Sequence, residues 1–293
     1  VSAPESRLVI HPAVDSDEHA AQLRAELELP RDVAAERART TVEAVRRGFY
    51  DTPQGRRVDI GPLVATACSS TVSIPPDAPR GPAPARRFDT TVVQVVNDTT
   101  LVAARALTDA GLRPAALNFA NGVRPGGGFL GGALAQEEAL CRCSGLYATL
   151  VDDPMYGYHA ARGLPESSDW VVLSPTVPVF RTDAGAWLDE PWLLDFLTCA
   201  APYAPRVGQP RSGNLLRQRI ERLLSVAAAD GTDALVLGAW GCGVFGNDPN
   251  RTARDFRDVL EGPLGEAFRH VVFAVADWSA ARRLLAPFVR AFQ

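Results

Sequence analysis

Apolar and polar positions follow two rhythms along this chain, and the change falls near residue 88. Before it, apolar residues recur at helical spacing. Leu23, Leu27 and Leu29 come first, and Pro30 interrupts them. A second helix is expected over residues 34–47, with Val42 and Val45 on its apolar side and Gly48 as its stop. Residues 1 to about 20 read as polar, unpatterned and mobile. A polar turn through Pro53-Gln54-Gly55 leads into a short strand over residues 57–60. The proline-rich stretch 75–84 reads as an extended connector. It divides an N-terminal arm and helical appendage, residues 1–75, from a main domain, residues 76–293.

After the connector the apolar residues come in short β-branched runs. Residues 91–96 suit a strand buried on both faces. Asn97-Asp98-Thr99-Thr100 reads as a cap, followed by a helix over residues 101–110. Further strands are expected over residues 115–120, 170–174, 234–239 and 271–275, and helices over 214–229 and 253–260. Strands alternating with helices predict an α/β fold with a mixed, mostly parallel sheet covered on both sides. In such folds ligands bind beyond the carboxyl ends of the strands. Two glycine-rich segments fall there, one after 115–120 and one after 234–239.

The first is Gly126-Gly127-Gly128, followed after seven residues by Gln136-Glu137-Glu138. Glycine lacks a Cβ, so its backbone N–H groups can approach an anion or a sugar closely. Gln136 opens a helical pattern, where carboxylates are favoured by the helix dipole. Each half alone reads as a plain loop or a plain acidic helix start. Together they place a flexible cradle beside paired carboxyls, which glycosidic hydrolysis can use. Adjacent glutamates on a helix point about 100° apart, so they take separate roles. The second segment, residues 238–247, can wrap a pyrophosphate with its amides. It lacks the Gly-Lys-Ser/Thr of a Walker loop.

Composition narrows the picture. The chain has 293 residues, 46% of them hydrophobic, enough for a sizeable core. No apolar run reaches the length of a membrane span. The first residues lack the basic-then-apolar order of a signal peptide. Lysine is absent, and the net charge of −4 argues against tight non-specific nucleic-acid binding. Five cysteines form no framework, so reduced thiols and a cytoplasmic setting are expected. Cys141-Arg142-Cys143 is isolated from the four histidines, so no metal is expected.

The run from Pro125 to Ala133 and from Ala135 to Arg142 resembles the poly(ADP-ribose) glycohydrolases, in particular their compact bacterial-type branch. The resemblance is specific at this signature and extends by pattern over residues 88–280. It implies a three-layer α/β/α macrodomain fold, and the second glycine segment agrees with that. It implies cleavage of the ribose–ribose O-glycosidic bond of poly(ADP-ribose), mainly exo-acting, with no metal or redox cofactor. Glu138 is then the general acid/base, and Glu137 and Gln136 position the substrate, Glu137 by bonding ribose hydroxyls. Gly126, Gly127 and Gly128 surround the distal ribose and phosphate. Gly241, Cys242, Gly243, Val244, Phe245 and Gly246 form the diphosphate loop. Asn118 or Asn121 contacts a ribose; the family often has Asn where this chain has Arg124. Asp98 stands where macrodomains place an acid on the adenine amino group, with a helix cap as its plain alternative. Phe245 lies against the nucleotide or anchors the core. The expected partners are poly(ADP-ribose), ADP-ribose and poly-ADP-ribosylated proteins, with no direct nucleic-acid or membrane partner and a monomeric chain. Two rival functions remain: a non-catalytic ADP-ribose reader, and a hydrolase of mono-ADP-ribosylated substrates.

Overall fold

The computed structural model describes residues 7–79 and 86–293. The first six residues of the expected arm, residues 80–84 of the expected connector and residue 85 lie outside the described residues.

In chain order the elements are β1 (Leu8–Ile10), α1 (Asp17–Leu27), α2 (Arg31–Arg47), β2 (Phe49–Asp51), β3 (Arg57–Asp59), α3 (Gly61–Ser70) and β4 (Val72–Ile74). Then come β5 (Thr91–Val96), α4 (Thr100–Asp109), β6 (Pro114–Ala120), α5 (Gln136–Cys143), α6 (Leu146–Leu150), α7 (Pro154–Arg162), β7 (Val171–Arg181) and β8 (Trp187–Ala200). The chain ends with α8 (Ala204–Val207), α9 (Arg211–Asp230), β9 (Ala234–Leu237), α10 (Pro249–Leu260), β10 (His270–Ala274) and α11 (Leu285–Ala291). Eight of the strands belong to one mixed sheet, giving the expected α/β fold. The helix boundaries have local causes. Gly48 ends α2 at φ 80°, where its N–H reaches the Val45 carbonyl. Asp153 and Asp248 cap α7 and α10 by accepting the N–H groups of Met155 and Asn250.

The chain folds into two compact units. The first holds residues up to 21, 77–115 and 201–293. In it β1, β5, β10 and β9 run parallel, with Val93 beside both Ile10 and Val271. The expected polar arm therefore contains an ordered strand. Leu8-Val9-Ile10 is a short apolar run, and it pairs along the edge of β5. β5 is buried on one face, by Thr91, Val93 and Val95, and only partly covered on the other. Gln94 explains the difference: it sits on the second face and donates to the Pro12 carbonyl at 3.1 Å. Phe256, Phe273, Phe288 and Phe292 stack through α10, β10 and the C-terminal turn, with centroids 4.6 to 5.4 Å apart.

The second unit holds residues 22–76 and 116–200. In it β4, β7 and β8 are antiparallel. Residues 7–75 thus do not form one body: 7–21 fall in the first unit and the rest in the second. β2 and β3 form a hairpin, and Tyr50 stacks on Trp187 at 4.6 Å. Ala44, Ile60, Val64 and Phe180 close that cluster. The strand expected over 170–174 runs on to Arg181 because a register shift between Ser174 and Val177 absorbs Pro175 and Thr176. Pro175 and Pro178 are therefore both part of β7.

Candidate active site

β6 leads straight into the first glycine segment, and α5 follows it. Gln136, the first residue of α5, reaches back to the strand. Its Oε1 accepts the Phe119 N–H at 2.9 Å, and its Nε2 donates to the Leu117 carbonyl at 2.7 Å. A side-chain amide thereby stands in for a neighbouring strand and fixes where the helix begins. This engagement is structural, a use the residue pattern alone did not reveal.

The two glutamates that follow are 3% and 8% exposed. The Asn121 N–H donates to Glu137 Oε2 at 2.7 Å, and the Gly128 N–H donates to Glu138 Oε1 at 2.9 Å. These same two oxygens close over Gly127. A Cβ there would lie 2.4 Å from Glu138 Oε1 and 2.9 Å from Glu137 Oε2. Gly127 also has φ 59°, a region that disfavours other residues. Glu137 Oε1 and Glu138 Oε2 are buried and have no hydrogen-bond partner among the described residues. Each carboxyl thus has one oxygen held by a turn N–H and a second oxygen buried without a partner among the described residues.

Burial pushes the Glu137 carboxyl up to about 8. The Asn121 N–H pulls against that rise, and the neighbouring Glu138 adds to it. Glu137 therefore keeps its proton at neutral pH and can donate a hydrogen bond. The folded chain holds this proton up to about pH 8, whereas the unfolded chain releases it near the ordinary value of 4.5. The folded state binds more protons in that window, so stability falls as pH rises through it. Glu137→Gln cannot ionise. Its melting temperature is expected to fall less between pH 5 and pH 8.5 than that of the parent, as read by thermal denaturation. Parallel losses in both proteins would contradict the burial of this proton.

Asn118 is fully buried; its Nδ2 donates to Thr198 at 3.2 Å, and its Oδ1 has no partner among the described residues. Asn121 instead spends its Oδ1 on the N–H groups of Val123 and Arg124, at 3.0 Å each. It holds the turn, while Arg124 is exposed. Two further residues of this unit were given no role by the sequence. Arg142, four residues after Glu138, is buried and donates to the Ala133 carbonyl at 2.5 Å, tying the glycine loop to α5. Tyr156 has a buried hydroxyl without a partner among the described residues; burial, and then Glu137, raise its phenol far above the ordinary range. A lone Tyr or Arg on a helix has no spacing that marks it.

The second glycine segment lies in the first unit. Gly241 at φ 74° and Gly246 at φ 64° bend the chain back on itself. The Asn247 N–H closes the turn on the Gly241 carbonyl at 3.0 Å, and the Asn247 side chain holds the Pro202 and Gly241 carbonyls. Among the described residues, no acceptor engages the N–H groups of Gly243, Val244 and Phe245. Successive free amides of this kind form an anion-binding concavity. Val244 is 83% exposed at its tip. Phe245 is half-buried and edge-on to Tyr203 at 5.7 Å, so it is not a core anchor. Burial pushes the Cys242 thiol up to about 12, which leaves it no nucleophile at neutral pH. Asp98 lies two residues after β5 in the same unit. The cap of α4 is Thr99, whose hydroxyl accepts the Val102 N–H. Asp98 instead accepts the Thr99 N–H at 2.7 Å and lies 3.2 Å from His19 Nε2. With His11, Gln94 and His270 it lines a groove of about 240 Å³.

Residues 38–182 match the family model of the microbial-type PARG catalytic domain. No curated protein matches the chain. Among solved structures, the chain is similar to the poly(ADP-ribose) glycohydrolase of Thermomonospora curvata, with 43% identity and a TM-score of 0.82 over 89% of this chain and 100% of that one. The same enzyme bound to the inhibitor ADP-HPD matches at 45% identity and a TM-score of 0.82, over 89% and 100% of the two chains. The poly(ADP-ribose) glycohydrolase of Deinococcus radiodurans in complex with ADP-ribose matches at 42% identity and a TM-score of 0.75, over 80% and 99%.

Proposed function

This chain belongs to the microbial-type poly(ADP-ribose) glycohydrolases, and on that premise we propose that it hydrolyses the ribose–ribose O-glycosidic bond of poly(ADP-ribose) and releases ADP-ribose. The observation that carries this reading is the pair of buried carboxyls over Gly127, each with one oxygen held by a turn N–H and the other buried without a partner among the described residues. Burying two adjacent acids is costly. A module that only binds ADP-ribose has no use for such a pair.

The roles divide as follows. Glu138 gives a proton to the leaving ribose oxygen as the glycosidic bond breaks, and the anomeric carbon becomes oxocarbenium-like. Water then adds to that carbon, and the Glu138 carboxylate takes the water's proton, which restores the acid. Glu137, neutral at pH 7, donates from its free oxygen to a ribose hydroxyl and adds no second negative charge. Gly126, Gly127 and Gly128 let the sugar approach the backbone, and Asn118 offers its free oxygen to a ribose hydroxyl. The amides of Gly243, Val244 and Phe245 take the diphosphate, and Phe245 lies beside the nucleotide. Because Glu138 protonates a ribose oxygen, the last ADP-ribose attached to a protein side chain is left in place.

Free ADP-ribose released from purified polymer, followed by chromatography, tests the reading. Steady release by the parent chain is the expected result. ADP-ribose bound without any release from polymer would favour the reader instead. Release confined to mono-ADP-ribosylated protein would favour the other hydrolase.

A further inference from the structure

We propose that His159 is a positioning residue for this hydrolysis: its Nδ1–H holds the Gly122 carbonyl and so fixes the turn from which Asn121 presents its N–H to Glu137. The proposal rests on the function given above. His159 lies on α7, outside the glycine and glutamate signature, and is 1% exposed. Its Nδ1 is 2.8 Å from the Gly122 carbonyl oxygen, and its Nε2 is 2.6 Å from Ser168 Oγ.

The proton positions follow from the partners. A carbonyl oxygen only accepts, so Nδ1 carries hydrogen. In the neutral ring Nε2 then accepts the Ser168 hydroxyl proton. Ser168 Oγ in turn accepts the Trp170 N–H at 3.4 Å. The ring is thus locked in one tautomer between two loops.

Gly122 is seated with little freedom. A Cβ there would lie 2.3 Å from Ser167 Oγ and 3.2 Å from Ala200 Cβ. Ser167 itself has φ 54°. On the other side of the turn, the Asn121 N–H meets Glu137 at 2.7 Å, and Asn121 Oδ1 collects the N–H groups of Val123 and Arg124. Removing the His159 donor orphans a buried carbonyl, and the turn must rotate to find another partner. The Gly122–Val123 peptide it would rotate carries the Val123 N–H that Asn121 Oδ1 collects, and one peptide unit separates it from the one whose N–H orients Glu137. A shift of about 1 Å in a positioning group can cost about a hundredfold in rate.

The test compares His159→Leu with His159→Asn in the full chain. Leucine fills the ring's space but donates nothing. Asparagine fills it poorly but places an amide N–H where Nδ1–H stands. For His159→Leu, kcat on poly(ADP-ribose) is expected to fall about thirtyfold or more with KM changing less than about threefold, and His159→Asn is expected to keep kcat within about fivefold of the parent. The melting temperatures should run the opposite way, with leucine the more stable. Amide hydrogen exchange at Asn121 should speed up in His159→Leu and not in His159→Asn. Activities that follow the melting temperatures, or a leucine variant with parental kcat and parental exchange at Asn121, would overturn the proposal. If the leucine variant does not fold, Ser168→Ala takes its place, with faster Asn121 exchange and a severalfold lower kcat expected; unchanged values would overturn it equally. A parent that releases no ADP-ribose would refute the function alone, and Asn121 exchange would still decide the positioning.

Discussion

Glutamine in place of Glu138 is expected to lower the rate of ADP-ribose release about a thousandfold or more, whereas glutamine in place of Glu137 costs about tenfold. The asymmetry is the informative part. The two residues are neighbours, both buried and each bonded to a turn N–H. Their jobs differ. Glu138 must give up a proton and take one back in every turnover, and an amide can do neither. Glu137 keeps its proton at pH 7, because burial pushes it up to about 8. A neutral glutamine imitates a neutral carboxylic acid: it still accepts from the Asn121 N–H and still donates from its other arm. Single-turnover release from polymer at pH 7 measures both variants against the parent. Two equally severe losses would mean that Glu137 acts as a charged group. A severe loss at 137 with a mild one at 138 would exchange their roles. Above pH 8 the parent's Glu137 ionises while the glutamine stays neutral, so the parent's rate advantage should shrink there.

Much of this arrangement could be read from residues alone, and what could not has a physical pattern. β6 and the opening of α5 were legible because a β-branched or apolar run ends in glycines and then in helix-favouring carboxylates. β5, β9, β10, α9 and α10 were legible for the same reason: each carries one unbroken period. β8 was missed although it is 14 residues long. Asp189, Glu190 and Pro191 interrupt it, and its early residues are only partly covered, so no alternation shows. β1 and β4 are three residues each and exist because a longer strand offers them an edge. The glutamates were visible as a motif. The raised Glu137 carboxyl was not, because burial is a property of the fold. Gln136 was read as a substrate contact, and its bracing of α5 against β6 had no mark in the sequence. Asp98 offered an adenine contact or a helix cap, and Thr99 takes the cap. Neighbours one residue apart cannot be told apart by type when both can cap.

Alanine at Gly127 is expected to reduce turnover about a hundredfold or more, while alanine at Gly131, four residues on, leaves it within about twofold. Both substitutions add one methyl to the same loop. At Gly131 a Cβ would meet nothing within 4 Å, and its φ is not in the left-handed region. At Gly127 the Cβ would sit 2.4 Å from Glu138 Oε1 and 2.9 Å from Glu137 Oε2. Those two oxygens are the held ones, so neither can retreat without breaking its bond to Gly128 or Asn121. The left-handed backbone adds about 1–2 kcal/mol for any residue other than glycine. The variant should therefore fold with a modestly lower melting temperature and lose catalysis out of proportion to it. The glycine run is commonly valued for letting a ligand near the backbone. Here its middle member is needed first by the enzyme's own acids, which occupy the space a side chain would take. Kinetics on polymer together with thermal denaturation of both variants separate the two effects. Equal activity of the two alanine variants would mean that the carboxyls can settle elsewhere and still work, and that their place over Gly127 is not what turnover requires.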